Sequence, residues 1–209
     1  MTHRFTDRLR VFLSAATFST AILALAACSH SPDTVFYTLE PHDPASGARD
    51  DAYRGPAIQV DSVRLPAVLD RPELIRSTGP NTMEVDDFAR WAAPVGEMAQ
   101  RVLTQDLAAR LPNDAVVYPG APKPAATAAL TVDVLDFEVS EGRATLDVNW
   151  VLTPASDAAS HAAQALRRTL HLVAPATSGS KGSADGLSRL MAALADSIVE
   201  QLKGLPSTQ

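Results

Sequence analysis

Cysteine and histidine are the side chains best suited to nucleophilic, acid–base or metal chemistry, and this 209-residue chain has few of them. Cys28 is the only cysteine, so it can be neither half of an internal disulfide nor part of a cysteine metal cluster. Beyond it lie His30, His42, His161 and His171, none in a ligand spacing such as H-x-x-x-H. The first three fall in tether or loop segments, and His171 alternates outward on a strand, as a solvated histidine does. Asp86-Asp87 resembles a carboxylate pair, but two acids before a helix ordinarily cap it and complement its dipole. The chain has no G-x-S-x-G elbow, no Walker loop and no G-x-G-x-x-G fingerprint. The expectation is a non-enzyme without metal or cofactor.

The flanks of Cys28 explain its presence. Arg4, Arg8 and Arg10 stand against the single acid Asp7, and Val11 to Ala27 is apolar or small throughout. A basic start, a short apolar run and small residues before a cut make a secretory signal over residues 1–27. A membrane span would want about 20 apolar residues, and this run is shorter and diluted by Ser14, Thr17, Ser19 and Thr20. Ala24-Leu25-Ala26 also satisfies the small-x-small rule of ordinary secretion. That cut, however, would strand a free thiol in an oxidising compartment. Leu25-Ala26-Ala27-Cys28 resembles a bacterial lipobox. By that resemblance Cys28 becomes the first mature residue and carries N-acyl and S-diacylglycerol groups. Two or more chains hold a protein stably in a membrane where one does not.

Removing the signal leaves about 180 residues, enough for one domain with a proper core. The chain holds 18 basic and 24 acidic residues; without Arg4, Arg8, Arg10 and Asp7 the balance is 15 to 23, a net charge of −8. That argues against nucleic acid, or an anionic surface bound through charge, as the partner.

Residues 28–33 read as a short lipidated tether and 34–205 as a single domain. Val35 to Leu39 reads as a strand and Pro41 to Gly55 as a loop. Ala57 to Leu65 is a second strand whose apolar phase shifts after Val60, predicting a bulge near Asp61-Ser62. Glu73–Ser77 and Thr82–Val85 are short strands around Gly79-Pro80-Asn81. Phe88 to Leu111 carries a helical stripe that includes Phe88, Trp91, Met98, Val102 and Leu107. Pro94 confines the regular helix to start near Ala92 or Ala93, with Asp86 to Trp91 leading in. Ala115–Tyr118 is a short strand. Leu130–Val139 and Arg143–Leu152 form a strongly alternating hairpin around Glu141-Gly142. Leu166–Val173 is another strand, followed by a loop to Ala184. The last helix runs from Leu187 to Leu202, with Asp185 as N-cap and Gly204 as stop. The expected fold is α+β: two layers, a mostly antiparallel or mixed sheet with two amphipathic helices packed on one face.

Two runs stand out. Val63-Arg64-Leu65-Pro66 with Asp70-Arg71-Pro72 reads as a strand end, a proline turn and an Asp70–Arg71 ion pair holding the loop. Arg90-Trp91-Ala92-Ala93-Pro94 reads as a core tryptophan beside an arginine that pairs with a nearby acid. In order along the chain, Cys28, Tyr37-Thr38-Leu39, Leu65-Pro66, Asp70-Arg71-Pro72, Arg90-Trp91-Ala92-x-Pro94 and Leu103-x3-Leu107-x3-Leu111-Pro112 resemble the PqiC-like lipoproteins. These are auxiliary components of ABC-type transport systems. Ala93 departs from the acid expected in that family, which puts in doubt any salt bridge made there.

The resemblance implies a non-catalytic docking subunit of a lipid-transport machine in a Gram-negative-type envelope. Its partners would be an MCE-domain periplasmic protein, an inner-membrane permease and an ATPase. Ser29, not acidic, agrees with sorting to the outer membrane. Self-association into a ring of identical subunits stays open, as do two other roles. One is a chaperone holding a phospholipid between sheet and helices, the other an assembly factor for an outer-membrane complex.

Overall fold

Alternation at every second residue builds the largest feature of the chain. The computed structural model describes residues 32–44, 49–51, 53–79, 81–155 and 165–203. The signal segment, Cys28, Ser29, His30, Pro80, His161 and Gly204 lie outside the described residues. The chain from Thr34 onward forms one compact unit. Its elements are β1 (Val35–Tyr37), β2 (Ile58–Arg64), β3 (Glu73–Gly79), β4 (Thr82–Trp91), α1 (Val95–Arg110), β5 (Val116–Val117), β6 (Ala128–Ser140), β7 (Arg143–Thr153), β8 (Leu166–Pro175) and α2 (Gly179–Lys203).

On β7, Ala144, Leu146, Val148 and Trp150 are fully buried while Arg143, Thr145, Asp147 and Asn149 face outward. The β6–β7 hairpin closes on Glu141 (φ 50°) and Gly142 (φ 79°). Two left-handed residues are what a two-residue turn needs to match strand twist. The five-stranded sheet has the order β5-β2-β6-β7-β8. β2 pairs in parallel with β5 and β6, while β6, β7 and β8 are antiparallel neighbours. The bulge falls where the phase shift put it, with the β2–β6 register slipping between Val60 and Ser62. Gln100 of α1 donates to the carbonyls of Val60 and Asp61 at 2.8 and 2.9 Å, so the irregular backbone stays bonded.

Both helices pack on one face of this sheet and on each other. Val102, Leu103 and Leu107 of α1 and Leu190, Leu194 and Ile198 of α2 have no exposed surface. Each such side chain contributes roughly 1.5–3 kcal/mol by leaving water. The α+β, two-layer reading with two helices therefore holds, with a mixed sheet. The strands nevertheless divide, and β1-β4-β3 make a separate three-stranded sheet.

Two element boundaries differ from expectation. Asp86 to Trp91 continues β4 and does not lead into a helix; α1 starts at Val95, with Pro94 at its N-cap. On a helix Phe88 and Trp91 would share a face. On the strand they face opposite ways, and Trp91 is 9% exposed while Phe88 is 42% exposed. Pairing of Ala89, Arg90 and Trp91 with β1 decides the strand, a non-local contact that the apolar stripe could not reveal. The second difference is α2, which begins at Gly179, so Asp185 lies inside it and pairs with Lys181. Gly179-Ser180-Lys181-Gly182-Ser183 has low helix propensity, yet Ser180, Gly182, Ser183, Ala184 and Gly186 are buried. Their small size permits a close approach that larger residues would forbid, and packing overrides propensity.

A Cβ at Gly182 would lie 1.7 Å from the Thr177 carbonyl oxygen, whereas one at Gly79 meets nothing within 4 Å. Gly182→Ala should therefore destabilise by at least the roughly 1–3 kcal/mol typical of overpacking. Gly79→Ala should stay within about 1 kcal/mol of wild type. Urea unfolding midpoints of the two variants check the contrast.

Candidate functional site

Proline chemistry shapes the junction of β2, β3 and β4. Pro66 follows the end of β2, and its carbonyl accepts the Leu69 and Asp70 N–H groups at 2.8 and 3.0 Å, turning the chain back. Pro72 has no N–H to donate, but its carbonyl accepts the Trp91 N–H at 2.7 Å. One residue on, Ala92 N–H donates to the Tyr37 carbonyl at 2.8 Å. Tyr37 is in register with Trp91, so β1 is fastened to the end of β4 beside the Pro66–Pro72 turn. Trp91, Leu65, Leu69, Leu74 and Phe137 close over a void of only about 20 Å³.

Tyr37, Leu65, Pro66, Arg71, Pro72, Arg90 and Trp91 are thus gathered at one corner, and Pro94 starts α1 three residues after Trp91. Asp70 lies on the exposed turn. The expected Asp70–Arg71 pair is not formed: Arg71 Nε donates to Glu73 at 3.0 Å. Glu73 also lies 3.8 Å from Arg90, so Arg90 finds its acid on β3 and Ala93 supplies none. The hydrogen bond from Arg71, then the backbone at Glu73 and the two guanidinium charges, hold the Glu73 carboxyl below its usual range. Glu73 escaped the sequence reading because adjacent residues on a strand point to opposite faces while i and i+2 share one. The signal for it was an Arg-x-Glu spacing across Pro72, from the turn into the first residue of the strand.

The predicted helix-capping role of Asp86-Asp87 is likewise replaced, because both residues lie on β4. Asp86 accepts the Ser180 hydroxyl in the first turn of α2, and this bond lowers its carboxyl pKa. His171 is exposed, as expected, and its Nδ1 lies 2.7 Å from Asp147. It borders a shallow, polar groove of about 330 Å³ with Glu138, Glu141 and Arg143. Among the described residues no group of three His, Cys, Asp or Glu side chains could hold a metal ion.

The segment leaving β1 is fixed by buried charge. Arg110, 2% exposed, donates through Nε to Asp196 of α2 at 2.6 Å and through its terminal nitrogens to the carbonyls of His42, Asp43 and Asp106. Asp106, fully buried, accepts the His42 N–H at 2.8 Å. Its second oxygen has no hydrogen-bond partner among the described residues. Burial pushes this carboxyl up from 3.8 to about 6, against the opposing pull of the His42 hydrogen bond and Arg110. Neither residue was singled out from sequence, although charges at positions 106 and 110 interrupt the apolar stripe of α1 one turn apart.

The profile of a family described as the ABC-type transport auxiliary lipoprotein component matches residues 37–199, most of the chain and all of this corner. The chain belongs to that family. Solved structures share the fold of this auxiliary lipoprotein. One uncharacterized protein is 18% identical with a TM-score of 0.63, covering 82% of this chain and 99% of its own. A Xanthomonas campestris protein is 18% identical with a TM-score of 0.59, covering 79% and 92%. At such identity the likeness is one of fold. No curated protein matches the chain. Among the described residues no helix is long and apolar enough to cross a membrane.

The Asp106 shift has a defined pH consequence. The unfolded carboxyl loses its proton near 3.8 and the folded one near 6, so between those values the folded state binds more protons. Stability from this group therefore falls as pH rises through that window. The wild type should lose stability relative to Asp106→Asn from about pH 4 to about pH 6 and run parallel to it above. Unfolding free energies of both proteins across that range provide the check.

Proposed function

We propose that this auxiliary lipoprotein is a non-catalytic docking subunit of an MCE-type lipid transporter. It is held at the periplasmic side of the outer membrane by acyl chains on Cys28. The family match over residues 37–199 carries the reading. The lipobox-like Leu25-Ala26-Ala27-Cys28 and the non-acidic Ser29 supply the anchor and its sorting. Its partners are a periplasmic MCE-domain protein, an inner-membrane permease and a cytoplasmic ATPase. The corner supports a protein whose working geometry is set relative to a membrane. Its family-like runs serve to fasten β1, the strand that succeeds the tether, to the body of the domain.

The packing favours docking over lipid carriage. A ligand pocket ordinarily encloses about 300–1,000 Å³, while the apolar void beside Trp91 holds about 20 Å³. The larger groove near His171 is open and lined by Glu138, Glu141 and Arg143, a poor lining for acyl chains.

Affinity capture of the tagged, full-length protein from crosslinked membranes should recover the MCE-domain protein, the permease and the ATPase. Recovery of this chain alone at native abundance would overturn the docking reading. Intact mass of the mature protein should show Cys28 as residue one with a triacyl adduct; an unmodified mass would remove the anchor.

A further inference from the structure

The three-stranded sheet presents an apolar face with no helix over it. Phe36 is in register with Arg90, and Arg90 with Glu73, so these three share the face. Phe88 lies two residues along β4 on the same side, and Val85 and Met83 continue it beyond the irregular pairing. Phe36 is 64% exposed, Phe88 42%, Met83 47% and Val85 39%. Neighbouring Val35, where β1 begins, is 50% exposed. The charges placed among these side chains are partnered with each other: Glu73 with Arg71 and with Arg90. Large apolar side chains gathered on one face, with their charges paired, mark a surface that something covers.

The tether says what covers it. From Cys28 to Val35 there are seven residue steps, which span at most about 25 Å. A domain of this length is roughly 40 Å across. In an anchored domain the start of β1 is therefore held within about 25 Å of the bilayer, less than the domain's own width, and the surface around it is the one the anchor brings to the lipid. That surface carries Phe36 and, beside it on β4, Phe88. Charge does not bring it there, since the mature chain is net −8; the acyl chains do, and apolar side chains then enter the headgroup boundary.

We propose that the outward face of β1 and β4, centred on Phe36 and Phe88, rests in the headgroup boundary of the membrane that holds the anchor. This fixes the domain's orientation and turns the helical face and the far strands away from the lipid. The inference rests on lipidation of Cys28. Single cysteines replace Phe36, Phe88 or Arg167, the last an exposed residue of β8, in the full-length lipidated protein. Each carries an environment-sensitive fluorophore, Cys28 being blocked by its acyl groups. The proteins are reconstituted in phosphatidylethanolamine vesicles containing some phosphatidylglycerol, with and without brominated acyl chains.

Brominated chains should quench labels at 36 and 88 severalfold more than the label at 167, with little change on adding salt. Equal quenching at all three positions, in protein that floats with the vesicles, overturns the proposed face and leaves the anchor standing. Labels at 36 and 88 shielded from aqueous iodide but untouched by brominated chains also overturn it, because a protein or a second copy then covers the face. Failure to float removes the anchor and this proposal together.

Discussion

Arg110 is the constraint on which the arrangement turns. Its guanidinium reaches across from α1 to Asp196 on α2 and to the backbone of His42 and Asp43 in the segment after β1. Three parts of the chain distant in sequence are tied by one planar, permanently charged group. Removing a buried charge from water is costly and is tolerated only where nearly every donor finds an acceptor. The carbonyls of 42 and 43 must therefore hold their places. The neighbouring Asp106 imposes the same demand from the other side by accepting the His42 N–H. A three-residue edge strand has too little pairing to position itself, and β1 is such a strand. It stays in place because residues 39–42, immediately after it, are fixed. Leu39 is 1% exposed, Glu40 N–H donates to Ser188, and His42 is held between two charged side chains.

Seen from this knot, the family-like runs at the corner have an architectural job. Pro66 turns the chain, Pro72 offers a carbonyl without competing for one, and Trp91 fills the space against Leu65 and Leu69 while its backbone joins both neighbours. Arg71 and Arg90 are organised by Glu73 on the outer side. None of these residues encloses a space in which a substrate could sit, and together they hold the strand that succeeds the tether. Exposed ion pairs of this type contribute little to stability, so the Glu73 pairs serve mainly to place charge on that face.

How much of this was legible in sequence depended on how local the determining contacts are. The β6–β7 hairpin was readable because alternation and the Glu141-Gly142 turn are written within a stretch of about two dozen residues, and one face is buried along β7 and along β6 as far as Val134. The Asp61 bulge was readable for the same reason, as a slip in apolar phase. Asp86 to Trp91 misled because apolar spacing of three and four fits a helix, while the pairing with β1 that makes it a strand comes from residues about fifty positions earlier. The start of α2 misled in the opposite direction. Glycine and serine spell a loop locally, and only the close approach of Thr177 to Gly182 and of Ala144 and Ala176 to Gly186 explains why small residues stand there. Arg110 and Asp106 were passed over because a charged residue on an otherwise apolar stripe reads as a frayed edge until its partners are known.

The geometry of β1 also bears on how an anchored domain would carry load. β1 runs parallel to β4, and the chain enters it from the tether at Val35. A pull directed along β1 would load its ladder bonds to β4 in shear, all at once, instead of peeling them one at a time. Beyond Tyr37 the same pull meets Leu39 in the core, then the Ser188 bond to Glu40, then the Arg110–Asp106 grip on His42. Resistance is thus arranged in series behind a short strand that alone would offer little.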